Sequence, residues 1–197
     1  NPKNPPNPPN PSNPSNPADP TSVLMAGFGG QGMLLAGKVL AQASMDLGRE
    51  VSWLPSYGPE MRGGPANVIV CMGSTPIGSP LIERPLGLVV MNLPSLEKFA
   101  PKVQPGGVIV VNRALVSKDP HREDCTVIHV DARELAQQAG APRSANFVML
   151  GAYAGATGIV PPEAIERAIE EEFKDDKSKF VASSIAAFRA GLPCPTS

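Results

Sequence analysis

Apolar residues in this chain fall into two patterns, short continuous runs and longer stretches with helical spacing. The runs predict buried strands at residues 23–26, 51–54, 68–72, 86–91, 108–111 and 126–130. The helical spacing predicts helices at residues 31–47, 94–99, 132–139, 144–157, 162–173 and 178–188. Because strands alternate with helices, we predict an α/β fold with a mostly parallel sheet and helices on both faces.

Two of these elements carry more specific signals. The run at residues 86–91 is apolar without interruption, which is typical of a central strand buried on both faces. The helix at 144–157 is rich in small residues, among them Gly151 and Gly155, which predicts close packing against another helix. Asp131 precedes the helix at 132–139, where an aspartate can cap the first turn.

The first 21 residues repeat an Asn-Pro-Xaa triplet and contain almost nothing apolar. Proline at every third position favours an extended polyproline II segment with three residues per turn. We therefore predict a disordered extension over residues 1–21, an α/β domain over 22–190 and a tail over 191–197. A docking arm for a partner is the alternative for the repeat.

Composition excludes several classes of function. A formal net charge of -1 argues against nucleic acid or an anionic membrane surface as the main partner. No apolar run approaches the length of a membrane span, and the N-terminal residues lack the layout of a signal peptide. We therefore expect a cytoplasmic protein.

The three cysteines are Cys71, Cys125 and Cys194, which lie far apart in the sequence. This number and spacing fit a reducing compartment and neither a disulfide framework nor a zinc site. They also cannot bind an iron–sulfur cluster alone, since a cluster takes four closely grouped thiolates. We predict no metal site in this chain.

Candidate chemistry begins with the glycine-rich segment 27–32, which follows the first strand and opens the first helix. Glycines here let backbone N–H groups approach an anion at a helix N-terminus. The Gly27-x-Gly29-x-x-Gly32 spacing resembles a dinucleotide fingerprint, but no acidic residue ends the second strand to hold a ribose. The open alternatives are a structural turn and a loop that faces an anion or a partner.

A second glycine-rich segment, residues 56–64, follows the second strand. It contains Tyr57, Glu60 and Arg62 between glycines, more chemistry than a simple connection requires. Arg62 can bind a phosphate or carboxylate through its planar fork, or it can pair internally with Glu60. We expect both loops at the carboxyl ends of strands, where α/β sheets place their sites.

The residues themselves define no complete catalytic apparatus. No Ser–His–Asp or Cys–His arrangement is present, and no Walker lysine follows the first loop. We therefore predict no catalytic residue in this chain and interpret the domain as one part of a larger site.

Five segments occur together in an order that resembles one family. They are GFGGQGMLLAGKVLAQA, PSYGPEMRGGPANVIV, GSP at 78–80, MNLPSLEKF and ANFVMLGA. Together they resemble the gamma subunits of 2-oxoacid:ferredoxin oxidoreductases, of the 2-oxoglutarate and 2-ketoisovalerate type. The resemblance covers residues 23–188.

The resemblance implies a three-layer, Rossmann-like domain in a multi-subunit enzyme. Such enzymes oxidatively decarboxylate a 2-oxoacid, join its acyl group to coenzyme A and pass electrons to ferredoxin. Thiamine diphosphate, Mg²⁺ and iron–sulfur clusters would lie on the alpha, beta and delta partner subunits, with none held by this chain alone. The isolated chain would be inactive.

The resemblance also gives the two loops a role on the coenzyme A side of the reaction and at the subunit interface. The implied cofactor-binding residues are Gly27, Gly29, Gly30, Gln31, Gly32, Tyr57, Glu60, Arg62, Gly63 and Gly64. The alternatives are a self-sufficient nucleotide- or coenzyme A-binding protein and a purely structural assembly domain.

Overall fold

A computed structural model describes residues 19–57, 64–79, 81–174 and 178–194. The strands in these segments are β1 (Thr21–Phe28), β2 (Glu50–Tyr57), β3 (Pro65–Gly73), β4 (Gly87–Val90), β5 (Val108–Asn112) and β6 (Thr126–Val130). The helices are α1 (Met33–Asp46), α2 (Leu93–Phe99), α3 (Ala132–Gln138), α4 (Ala145–Thr157), α5 (Pro162–Glu172) and α6 (Val181–Gly191). Each predicted element is present, and most differences are confined to the ends of elements.

The sheet has the order β2-β3-β1-β4-β5-β6. Strands β1, β4, β5 and β6 pair in parallel, which confirms the predicted α/β architecture. Strands β2 and β3 instead form an antiparallel hairpin, and β3 runs antiparallel to β1. The hairpin follows from the short connection between the two strands, because residues 58–64 are too few for the crossover that a parallel pair requires.

Strand β2 is longer than the sequence indicated, since pairing with β3 continues past Pro55 to Tyr57. Proline lacks an N–H group and normally interrupts a central strand. Here β2 is an edge strand with a neighbour on one side only, so the missing donor costs little.

Helices cover the two faces of the sheet unequally. Helices α1, α3, α4, α5 and α6 pack on one face, against strand residues such as Met25, Val89 and Ile128. Helix α2 and the 3₁₀ turn Ala100–Lys102 cover the β4 and β5 side of the other face, against Leu24, Leu88 and Ile109. The prediction of helices on both faces is confirmed. The β2–β3 part of the second face lies beyond α2.

Helices α4 and α6 approach each other as closely as the small residues predicted. A Cβ atom on Gly151 would overlap the carbonyl oxygen of Phe188, and one on Gly155 would overlap that of Leu192. Glycine is therefore required at both positions for contact between the helix backbones. Asp131 also caps α3 as predicted, because its side chain accepts from the Glu134 N–H at 3.1 Å.

Candidate functional site

The carboxyl ends of β1 and β4 mark the point where the chain changes direction across the sheet. From β1 the chain passes to β2 and β3 on one side, and from β4 it passes to β5 and β6 on the other. Open α/β sheets bind ligands in the crevice at such a switch point. The loop at residues 27–32 follows β1 and lies there, as the sequence predicted.

The first loop is closed by its own glutamine. The Phe28 N–H donates to Gln31 Oε1 at 2.6 Å, and the Gln31 N–H donates to the Phe28 carbonyl at 3.1 Å. Gly30 and Gly32 adopt φ angles of 96° and 77°, which glycine tolerates and other residues rarely adopt. Gln31 therefore shapes the loop through the oxygen of its side-chain amide.

The two glycine segments meet as expected. The Gly29 N–H donates to the Gly64 carbonyl at 2.9 Å, so the start of β3 is joined to the β1 loop. Because β2 and β1 run in the same direction, the β2 strand ends with Tyr57 at this same edge. Glu60, Arg62 and Gly63 lie outside the described residues, and their predicted roles stay predictions.

Two helices begin beside the first loop. Asn146, in the first turn of α4, donates from Nδ2 to the carbonyl of Gly32, the residue before α1, at 3.2 Å. Within the described segments, the residues before α1 and α4 give no side-chain cap, and neither helix has an acidic residue in its first turn. Two helix N-termini with free partial positive charge thus converge at the crevice, which suits an anionic group.

Further polar residues at this edge escaped the sequence analysis. Asn92 and Asn112 are buried at the ends of β4 and β5, and Arg143 is exposed in the turn before α4. Within the described part of the chain, Arg143 takes part in no ion pair. One signal was available, since Asn92 and Asn112 each follow an apolar strand directly.

Carboxyl groups with clearly perturbed pKa values lie away from the first loop. The side chain of Ser74 lowers the pKa of Asp19 at the opposite edge of the sheet, and Arg189 lowers that of Glu166 between α5 and α6. Lys38 pairs with Glu172 of α5 at 2.7 Å, so it is not directed to the first loop. The described residues of the crevice thus offer hydrogen bonds and positive charge, which suits the binding of an anionic group.

The structure also bears on metal and membrane chemistry. Across the described segments, no group of three or more His, Cys, Asp and Glu side chains is arranged to hold a metal ion. None of the helices in those segments is both long enough and apolar enough to cross a membrane.

The fold and crevice define an α/β domain of the doubly wound class, with its candidate site at the switch point of the sheet. The sequence profile of the family described as "Pyruvate ferredoxin/flavodoxin oxidoreductase" matches residues 22–194. The chain therefore belongs to the pyruvate ferredoxin/flavodoxin oxidoreductase family.

Individual relatives agree with this membership. The ketoisovalerate oxidoreductase subunit VorA of Methanothermobacter marburgensis is 39% identical over 171 residues, which cover 86% of this chain and 35% of VorA. The chain thus spans about a third of that relative. The 2-oxoglutarate synthase subunit KorC of Methanocaldococcus jannaschii is 37% identical over 150 residues, 75% of this chain and 80% of KorC.

A solved structure has the same fold along nearly its whole length. The keto/oxoacid ferredoxin oxidoreductase gamma subunit from Geobacter sulfurreducens superimposes with a TM-score of 0.77 at 29% identity. The match covers 89% of this chain and 95% of that one. This chain and that gamma subunit thus share the same architecture.

Proposed function

We propose that this chain is the gamma subunit of a multi-subunit 2-oxoacid:ferredoxin oxidoreductase and contributes the coenzyme A side of its site. The observation that carries the proposal is the pair of joined glycine segments at the switch point of a domain from this family. In the reaction, a 2-oxoacid loses carbon dioxide, its acyl group forms a thioester with coenzyme A, and two electrons pass to ferredoxin.

The other groups required by this reaction belong on partner subunits. Thiamine diphosphate with Mg²⁺ would supply the decarboxylation chemistry and iron–sulfur clusters the electron transfer. Among the described residues, the three cysteines are separate free thiols and no group of side chains is arranged to hold a metal ion. We therefore assign the cofactors to alpha, beta and delta subunits.

The crevice suits the phosphate groups of coenzyme A. Gly30 lies at the loop apex, where an added Cβ would meet no other atom within 4 Å, so a ligand can approach the backbone. The uncapped N-termini of α1 and α4 favour a phosphate at the same place. Arg143, together with Arg62 of the second loop, would add cationic contacts.

The β2–β3 part of the second sheet face, which none of the described helices covers, supports assembly with a partner subunit. By strand alternation Phe28, Leu54 and Ile69 share this face, and Phe28 is 38% exposed. The face is continuous with both glycine segments, because Phe28 pairs with Pro65 in the ladder. We assign it to the subunit that binds thiamine diphosphate, since the two active-site portions must then adjoin.

The whole proposal is tested by purifying the tagged chain from its own host under anoxic conditions. We expect other subunits to co-purify and the complex to reduce viologen with a 2-oxoacid only when coenzyme A is present. Assays with a panel of different 2-oxoacids would identify the substrate. A pure chain without partners, thiamine diphosphate, iron or activity would contradict the proposal, and micromolar binding of coenzyme A, about -8 kcal/mol, would then favour a self-sufficient binding protein.

Arg62 tests the contribution of the second loop. We expect Arg62→Ala in the intact complex to raise the KM for coenzyme A at least tenfold, since a charged hydrogen bond contributes about 1.5–3 kcal/mol. Arg62→Lys should restore part of the loss, because lysine keeps the charge without the planar fork. The control is Arg133→Ala on the exposed face of α3. An unchanged KM with weakened assembly would favour a structural assembly domain.

Phe28 tests the partner surface. We expect Phe28→Ser to weaken association with the other subunits while the isolated chain stays folded, because the side chain is already partly exposed. Leu115→Ser is the matched control, since Leu115 is an exposed apolar residue in the β5–β6 connection. Analytical size exclusion measures the association. Equal effects of both substitutions would argue against this surface.

A further inference from the structure

Asn92 has one half of its side-chain amide committed and the other half unpaired. It lies two residues after the end of β4, and its Oδ1 accepts the Ser95 N–H at 2.9 Å, which caps α2. The residue is 4% exposed, and Nδ2 has no hydrogen-bond acceptor among the described residues. A buried amide donor is rarely left without a partner in a native protein.

The orientation of this amide is fixed by chemistry. The Ser95 N–H is a donor, so a flipped amide would place two donors against each other. Nδ2 must therefore point away from the cap. The group it meets has to be an acceptor, and an oxygen or an unprotonated nitrogen accepts more strongly than a sulfur.

Asn92 lies where β1 and β4 separate. The Met91 N–H still donates to the Ala26 carbonyl at 3.0 Å, as a continuation of the parallel ladder. Two residues further along β1, the Phe28 N–H donates to Gln31 Oε1 instead of to the β4 side. Asn92 is thus beside the first loop, at the switch point of the sheet.

We propose that Asn92 Nδ2 donates a hydrogen bond to an amide carbonyl oxygen of the pantetheine arm of coenzyme A. The inference rests on the proposed function. A neutral, buried donor suits a neutral carbonyl oxygen better than a charged phosphate. The phosphates of coenzyme A are better placed at the helix N-termini and arginines. Because Nδ2 is covered in the free chain, the residues around it must move before the arm can reach it.

Two substitutions separate this role from helix capping. Asn92→Ser and Asn92→Asp both keep an acceptor for the Ser95 N–H, so α2 stays capped and the subunit should fold. Aspartate has no donor and directs negative charge at the carbonyl, whereas serine keeps a hydroxyl but is one heavy atom shorter and cannot place its hydrogen where Nδ2 lies. In the intact complex we expect the KM for coenzyme A to rise about fivefold for Asn92→Ser and at least tenfold for Asn92→Asp.

The matched control exchanges the same groups at another helix cap. Asp131→Asn changes the cap of α3 and should leave the KM for coenzyme A unchanged. The KM for the 2-oxoacid and subunit assembly should stay at the wild-type values in all three variants. The thermal midpoint should stay there for Asn92→Ser and Asp131→Asn, whereas Asn92→Asp should lower it because its carboxylate is buried. The effect of Asn92→Asp should persist with pantetheine 4′-phosphate, which lacks the nucleotide.

The remaining outcomes overturn the inference. An unchanged KM for coenzyme A means that Asn92 only caps α2. Impaired assembly means that the Asn92 amide contacts a partner subunit. An equal rise of the KM values for coenzyme A and the 2-oxoacid means that the amide supports the fold. An effect lost with pantetheine 4′-phosphate places the contact on the nucleotide. A wild-type complex without coenzyme A-dependent activity overturns the proposed function as well, and this is seen before any variant is made.

Discussion

A matched pair of glycine substitutions tests the geometry of the first loop. Gly30 and Gly32 both adopt left-handed backbone angles, so alanine at either position costs about 1–2 kcal/mol of strain. Their surroundings differ. A Cβ atom at Gly30 meets nothing within 4 Å, whereas one at Gly32 lies 2.8 Å from Asn146 Nδ2.

The difference between the two variants can be estimated from one hydrogen bond. Alanine at Gly32 displaces the Asn146 amide from the Gly32 carbonyl, which costs a further 0.5–1.5 kcal/mol or so for a neutral hydrogen bond. Replacing glycine also lowers the entropy of the unfolded chain by a similar amount in both variants. That term cancels in the comparison, so Gly32→Ala should be less stable than Gly30→Ala by about 1 kcal/mol.

Equilibrium unfolding of the 197-residue chain in urea measures this difference, with thermal unfolding as a second assay. For a chain of this size, 1 kcal/mol corresponds to a change of about 2–4 °C in Tm. The gap between the variants should close in an Asn146→Ala background, because the displaced hydrogen bond is already absent. Equal destabilisation by both substitutions, or a gap that persists without Asn146, would refute the reasoning.

Two further predictions concern the helices that support the site. Gly151→Ala should destabilise the chain by about 1–3 kcal/mol, because the added methyl group overlaps the Phe188 carbonyl and overrides the better helix propensity of alanine. Urea unfolding checks this value, and a stabilised variant would disprove the close contact. The Glu166–Arg189 pair joins α5 to α6 through two hydrogen bonds of 2.6 Å, and Arg189 lowers the pKa of Glu166. Because the folded pKa lies below the unfolded value, the stabilisation is present above about pH 4.3 and is lost as pH falls through the folded pKa. Glu166→Gln should therefore reduce the slope of unfolding free energy against pH below about pH 4.3, with a loss of about 0.2–1 kcal/mol at pH 7. An unchanged slope would show that the pair contributes nothing.

Several elements could be predicted from the sequence because their signals are local. The apolar run at 86–91 predicted a central strand, and β4 lies between β1 and β5. The predicted cap at Asp131 and the predicted close packing of α4 were likewise correct. Capping depends on nearby residues, and close packing requires small side chains at the contact. The hairpin of β2 and β3 was missed because strand direction depends on the length of a connection, which periodicity does not report.

The candidate site was partly predictable for the same reason. The first loop stood out because glycine spacing after a strand is a local pattern. Its closure by Gln31 is also local, yet a side chain that turns back on its own loop leaves no spacing signal. Asn146 donates to Gly32, which is distant in sequence, so local spacing gives no signal for this contact.

The sequence alone determined the elements, the α/β class and the two glycine segments. These properties depend on residue type and on spacing within a few turns of chain. Only the tertiary structure decided that the Gly29 N–H meets the Gly64 carbonyl, that two uncapped helices start at one crevice, and that Asn92 keeps an unpaired donor there. The physical reason is that hydrogen-bond partners across a sheet depend on strand order and register, which arise from packing of the whole core.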